Sequence, residues 1–314
     1  MRRLAITLIT AIGIAGGVAC GLELAGEGGP PDIPLPERDD GGNNDATPVI
    51  GELPESGADI LPGETTIDAG EVDAGSCGPT GVQENFANGI DNAKWVTYGK
   101  VTRVVTGNNN IARLIETDDK EEAAGMMFVP KVTATEFTAS FYYFAQLPYV
   151  GWFESANYAD GYTLTWLTEG DPATLGTAPQ NVVSGAGLGF PNATKGYAFA
   201  MDLYRNSAPQ DLDGPSFYVV GLDGAKGAPG SYPWHLRKSG PWSGVYDSWH
   251  KVDITLAGGK LSATIDTTVK IFENIDVPVA PIKAIGFTAA TGGGKAVGFF
   301  IDTVDIKLTN ATCP

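Results

Sequence analysis

The chain has 314 residues, of which 42 are Gly and 21 Pro, and its 37 acidic residues against 20 basic ones give a formal net charge of −17. With 43% apolar residues it can bury a real core as one large domain or two small ones. The negative balance repels phosphate backbones and excludes a nucleic-acid partner, and with no second long apolar run the chain does not cross a membrane several times.

Arg2 and Arg3 precede an apolar stretch from Leu4 to Ala19, the length of a signal-peptide core and short for a membrane helix. The stretch ends Gly17, Val18, Ala19, Cys20, which resembles a bacterial lipoprotein lipobox, with Gly17 standing where Leu is usual. Residues 1–19 are therefore expected to be a lipoprotein signal peptide, and Cys20 the lipidated residue. Two acyl signals would make the anchor durable, so the membrane is met through the N-terminal lipid only. This places the protein outside the cytoplasm, lipid-anchored to the bacterial cell envelope, at the outer membrane or cell surface.

Residues 20–76 read as an acidic Gly/Pro-rich tether. Within 21–76 lie 14 Asp/Glu, one basic residue, 11 Gly, 7 Pro and no aromatic residue. Such a segment buries too little apolar surface to offset the entropy of ordering it. A flexible chain of that length spans about 40 Å end to end, and further when its charges repel one another. The tether carries −13 of the net charge and Arg2 and Arg3 carry +2, which leaves −6 for residues 77–314.

Cys77 marks the end of low complexity and Cys313 is the penultimate residue. With Cys20 assigned to the lipid, a Cys77–Cys313 disulfide is expected on the oxidising side of the membrane, which makes the first and last segments neighbours. From Cys77 on the pattern is β. Strand-like runs cover Phe137–Phe144, Tyr162–Thr168, Gly196–Tyr204, Ser216–Leu222, Trp249–Leu256, Lys260–Asp266, Ala284–Thr291 and Val297–Leu308, punctuated by Gly, Pro, Asn and Asp. Val252, Ile254 and Leu256 alternate with Asp253, Thr255 and Ala257, and Gly258–Gly259 then turns the chain into Lys260–Ile265, which predicts a hairpin with one dry and one wet face. The expectation for residues 77–314 is one all-β domain, an antiparallel β-sandwich of jelly-roll kind.

Five segments in order go beyond composition: Ala159-Asp160-Gly161 before a strand; Gly187-Leu188-Gly189-Phe190; Tyr197 to Asn206 with Asp211 beyond; Trp249-His250-Lys251-Val252; and Gly286 to Gly292. Together they resemble the legume-type (L-type) lectins, the concanavalin A-like sandwich family, over nearly all of residues 82–308. Asp202 and Asp211 offer charge, Asn206 an amide oxygen and Tyr204 a backbone carbonyl, hard donors of the kind Ca2+ takes. On its own this segment could equally be a polar loop at a sandwich edge. The resemblance implies that Asp202, Tyr204, Asn206 and Asp211 form a calcium site, with Asp213 an alternative to Asp211. The transition-metal site of the plant members would need a Glu and a His where this chain has Ala200 and Ser216, so no manganese site is expected and the chain looks more like the calcium-only cargo-receptor lectins.

For carbohydrate the resemblance implies Asp160 as the carboxylate acceptor, Asn206 as a residue shared between metal and sugar, Tyr204 as a stacking ring, and backbone donors at Gly292 and Gly293 and near Gly187, where Ala186 fits the register equally well. A turn role is the plainer reading of the glycines. His250 reads as a packed or hydrogen-bonded strand residue, and the loop around His235, Trp234 and Trp242 either shapes specificity or covers a sheet edge. The sandwich also hosts glycosidases. Their Glu-x-Asp-x-Glu strand motif is missing, and Glu273 with Asp276, and Asp302 with Asp305, would point to opposite faces of an extended strand. The reading is a non-enzymatic, calcium-dependent, glycan-binding lectin, with a polysaccharide hydrolase and a ligand-free structural or adhesive module as the alternatives.

Overall fold

A computed structural model of the chain describes residues 77–106, 109–117, 121–147, 158–170, 187–191, 194–204, 215–223, 234–292 and 295–314. Cys20, and the expected signal peptide and tether, lie outside them. The described residues are strands and connections, with no α-helix among them. In chain order the strands are β1 (Gly81–Glu84), β2 (Trp95–Tyr98), β3 (Thr102–Thr106), β4 (Asn109–Ile115), β5 (Ala123–Phe128), β6 (Glu136–Gln146), β7 (Tyr158–Ala159), β8 (Gly161–Glu169) and β9 (Lys195–Asp202). There follow β10 (Ser216–Asp223), β11 (Trp234–Ser239), β12 (Trp249–Ala257), β13 (Lys260–Ile265), β14 (Val269–Asp276), β15 (Ala284–Ala290), β16 (Lys295–Ala296) and β17 (Gly298–Thr309).

The strands form two antiparallel sheets. The eight-stranded sheet runs β14-β13-β12-β6-β17-β4-β3, with β1 also paired to β17, and the seven-stranded sheet runs β11-β10-β9-β8-β15-β5-β2. A two-stranded parallel ribbon joins β7 to β16. Facing side chains of the two sheets build one core: Phe137 of β6 meets Trp166 of β8 edge-on at 5.2 Å, and Phe141 of β6 meets Phe287 of β15 at 4.8 Å. Each such aromatic pair adds about 0.5–1.5 kcal/mol beyond the area it buries.

The predicted hairpin forms as β12 and β13, closed by Gly258 and Gly259 at φ +57° and +71°, a left-handed pair that glycine adopts without a Cβ clash. Val252, Ile254 and Leu256 are buried while Thr255 and Ala257 are exposed. The Cys77–Cys313 disulfide is present, with Cα atoms 5.5 Å apart across 236 residues of sequence. It lies just outside β1 and β17, whose pairing brings the two ends of the domain together.

The predicted runs leave out β1 to β5, β7, β11, β14 and β16, which are short or irregularly patterned. The region around His235 contributes β11, which pairs with β10 and forms one edge strand of the seven-stranded sheet. Asp302 and Asp305 also depart from expectation. A bulge at Thr303 (φ +46°) pairs Asp302 with Tyr142 and Asp305 with Ser140, so both aspartates share one face of β17 instead of opposing ones.

Candidate functional site

One end of the seven-stranded sheet gathers most of the residues singled out from the sequence. There Gly161, opening β8, lies between Asp202, closing β9, and Ala290, closing β15, and Asp202 in turn faces Ser216 of β10. Asp160 sits at the tip of this junction. Its N–H donates to the Ala290 carbonyl (3.0 Å) and its carbonyl accepts from Leu203 N–H (2.8 Å), so the backbone is tied to both neighbouring strands.

The Asp160 side chain is 4% exposed and its Oδ2 has no hydrogen-bond partner among the described residues. Burial pushes its carboxyl up to about 7, and the backbone N–H of Gly292 acts in the opposite direction. A Cβ at Gly292 would stand 2.8 Å from Asp160 Oδ2, so a larger residue there would have to displace the carboxyl. The strand end that carries it is pinned by Thr291 N–H to the Glu122 carbonyl (2.9 Å) and Glu121 N–H to the Gly292 carbonyl (3.2 Å).

Gly187 opens a tight turn closed by Phe190 N–H to the Gly187 carbonyl (3.0 Å), with Leu188 and Gly189 both at positive φ. The turn lies over β15 and β8 beside Asp160. A Cβ on Gly189 would fall 2.4 Å from the Ala289 carbonyl, and the Leu188 side chain reaches within 3.0 Å of the Cβ position of Gly161. Two groups the sequence reading passed over hold it. Thr288 Oγ1 donates to the Leu188 carbonyl (2.6 Å) from a buried hydroxyl chain through Thr163 and Thr165, and Tyr98 Oη donates to the Gly189 carbonyl (2.8 Å). The signal was present: three threonines in otherwise apolar strands need partners when both faces are buried.

On the other side of Asp160, the Oδ1 of the half-buried Asp202 accepts the Tyr204 N–H (3.1 Å), an Asx turn that starts the loop after β9. Burial holds the Tyr246 phenol well above the ordinary range, with Tyr158 and then the Asp202 charge adding to the effect, and its ring packs on Tyr158 at 5.5 Å. The Asp202 carboxylate and the Tyr204 carbonyl are hard oxygens that suit Ca2+. Asn206, Asp211, Asp213 and Gly293 lie outside the described residues, and among the described residues no three acidic, His or Cys groups cluster as a ligand set. The structure thus brings together Asp160, Gly187, Asp202, Tyr204 and Gly292. Ala200 and Ser216, the positions compared with the plant metal site, are both fully buried, and Ser216 stands directly across from Asp202.

Away from this junction, Asp302 is also buried and is raised to about 6 by desolvation, with Thr303 N–H donating to its Oδ1 (2.6 Å). Glu273 and Asp276 are exposed and paired with Lys270 and Lys260. His250 is hydrogen-bonded on both ring nitrogens.

No protein-family model and no curated protein matches the chain. Solved structures do. The VIP36 exoplasmic/lumenal domain in its Ca2+/Man-bound form aligns with a TM-score of 0.50 at 17% identity over 69% of this chain and 83% of that one. Basic winged bean lectin with Tn-antigen aligns with a TM-score of 0.52 at 13% identity, over 71% and 94% respectively. The Emp46p carbohydrate recognition domain in its potassium-bound form gives 0.50 at 16%, over 73% and 96%. By name, the first was solved with mannose bound, the second is a lectin solved with an antigen, and the third is a carbohydrate recognition domain. At such identities the likeness is one of fold: the described residues form a concanavalin A-like β-sandwich, the fold of the L-type lectins.

Proposed function

We propose that the protein is a calcium-dependent, non-catalytic lectin that binds a glycan at the end of the seven-stranded sheet and is held on the cell envelope by a lipid on Cys20. The observation that carries this reading is the Asp160 carboxyl: buried, with one oxygen lacking a protein partner, beside the Gly292 N–H and the Gly187 turn. A buried polar atom without a partner costs about 1–3 kcal/mol, and a ligand hydroxyl would remove that cost. A carboxylate accepts from adjacent sugar hydroxyls through charge-assisted bonds, which are the stronger kind.

Asp202, the Tyr204 carbonyl, Asn206 and Asp211 would hold the calcium, which supplies a fixed positive charge that favours the ionised carboxylates around it. Asn206 would share its amide between metal and sugar, Tyr204 would offer a ring to an apolar sugar face, and Gly187, Gly292 and Gly293 would contribute backbone donors. The VIP36 and winged bean structures hold sugars, and this supports a glycan as the ligand class. The acidic tether of residues 20–76 would carry the domain clear of the membrane.

The test is a glycan array probed with the chain in calcium and in chelator, with elemental analysis of the purified protein alongside. Glycan signals that vanish in chelator are expected. Signals unchanged by chelator would remove the metal from the account, release of reducing ends from polysaccharides would replace the lectin by a hydrolase, and a silent array with no bound calcium would leave a structural module.

A further inference from the structure

His250, at the start of β12, lies between two groups that can only accept a hydrogen bond. Its Nδ1 is 2.9 Å from Oδ2 of Asp266, in the turn between β13 and β14, and its Nε2 is 2.8 Å from the carbonyl of Gly244. The Ser248 hydroxyl is also 2.8 Å from Nε2, and Ser248 Oγ can donate in turn to the Tyr246 carbonyl at 3.3 Å or, more weakly, to the Gly244 carbonyl at 3.4 Å. Ser248, His250 and Asp266 thus have the spacing of a nucleophile, base and orienting acid. The Gly244 carbonyl rules against that chemistry, because an unprotonated Nε2 able to take the serine proton would point its lone pair at a carbonyl oxygen. With protons on both nitrogens every contact is satisfied: Nδ1–H on the carboxylate, and Nε2–H on Gly244 and Ser248, with the serine proton passing on to Tyr246.

We propose that His250 is a proton-operated clamp on the loop 244–248. As imidazolium it ties Gly244 to the β13–β14 turn. When it loses the Nε2 proton, the Ser248 hydroxyl turns to donate to Nε2, and both the Gly244 and the Tyr246 carbonyl lose a donor. The segment 244–246 is then released, while Asp247 stays fixed by its N–H to the Ala145 carbonyl (2.9 Å) and by its carboxylate, which accepts Leu147 N–H (3.0 Å). The released segment carries Tyr246, whose ring packs on Tyr158, two residues before Asp160, and feels the charge of Asp202, so the clamp reaches toward the end of the sheet where the candidate site lies.

Titratable and charged groups face the ring from several elements. Asp266 faces it from the β13–β14 turn, with its other oxygen accepting Lys251 N–H (3.0 Å). Tyr143 of β6 stacks on it at 5.2 Å and 30°, with Tyr162 of β8 behind. Tyr246 and Asp247 lie on the clamped loop itself, with Tyr158 of β7 and Asp202 of β9 beyond Tyr246, and the Lys251 ammonium is held by Asp253 at 3.2 Å. Imidazole is the side chain whose ordinary change of charge lies nearest neutrality.

The inference requires neither calcium nor a glycan, so its failure would leave the lectin reading standing. The test is a long-range 1H–15N spectrum of the imidazole rings of the full chain between pH 5.5 and 8.5, simple because the chain has only two histidines and His235→Gln identifies the other. At the acid end both nitrogens of His250 should carry protons. As pH rises Nε2 alone should lose its proton, and amide exchange at Val245 and Tyr246 should quicken about tenfold beyond its intrinsic pH dependence. Asp266→Asn should move the transition down by about one pH unit or more. A ring singly protonated on Nδ1 throughout the range, a transition unmoved by Asp266→Asn, or covalent labelling of Ser248 by a fluorophosphonate would overturn the clamp.

Discussion

The two sheets use the same strand chemistry to different ends. In the eight-stranded sheet, the β12–β13 hairpin alternates buried and exposed positions, and its outer face meets water at Thr255 and Ala257. In the seven-stranded sheet β15 is buried at every position, and seven of the nine positions of β8 are buried. The reason is a second apolar layer on the outer face, where Leu188 and Phe190 of the 187–190 turn lie with Tyr98, Met127, Ala200 and Tyr218. Polar groups beneath that layer cannot reach water, so Thr163, Thr165 and Thr288 bond to one another and to the turn. Asp160, at the edge of the layer, is left with an unmatched oxygen. One sheet is a scaffold whose outer face can vary; the other is the floor of a site whose threonines are committed to one another and to the turn, with Asp160 Oδ2 left over.

This contrast can be broken at several points. Replacing both Cys77 and Cys313 by Ser removes a link that closes most of the domain and should cost about 3–5 kcal/mol in denaturant unfolding. The bridge lies at β1 and β17, away from the site, so glycan affinity of the remaining folded protein should not change. A site that failed together with the disulfide would mean that the two sheets are not separable in this way.

The buried carboxyls should make the calcium-free protein less stable as pH rises. Asp160 in the folded chain titrates near 7, above the ordinary carboxylate range, so between about pH 4 and 7 the folded state holds a proton that the unfolded chain has lost. Its stabilising contribution is complete below about pH 4 and lost as pH climbs through 7, on the order of 2–4 kcal/mol. Asp302, raised to about 6, acts in the same direction. Thermal unfolding in chelator should show the decline, and Asp160→Asn should flatten most of it.

Thr288→Val keeps the shape of the residue but leaves the Leu188 carbonyl without its donor, which should cost about 1–3 kcal/mol and weaken glycan binding by loosening the 187–190 turn. Thr255→Lys, on the wet face of the scaffold sheet, should change stability by no more than about 0.5 kcal/mol and leave binding untouched. Equal effects from these two substitutions would erase the distinction between floor and scaffold.

The sequence carried much of this, unevenly. The β12–β13 hairpin could be read directly because its alternation has a period of two and Gly258–Gly259 closes it. The disulfide could be read because only two cysteines remained to be paired. Asp160, Gly187, Asp202 and Gly292 could be brought to one place only through the ordered motifs they share with a lectin family, since 40 or more residues separate Asp160 from Asp202 and far more separate it from Gly292. What stayed hidden depends on tertiary geometry. The bulge at Thr303 puts Asp302 and Asp305 on one face against the simple alternation of a strand. The Tyr98 bond to Gly189 spans 91 residues, and the His250 contacts join a loop and a turn that nothing local links.

The most direct test of the central claim compares the wild-type chain with Asp160→Asn on one glycan array in saturating calcium, with melting temperature measured in parallel. The account predicts that the variant loses binding to every glycan recognised by the wild type while melting no lower. Binding retained by a folded Asp160→Asn protein would contradict it.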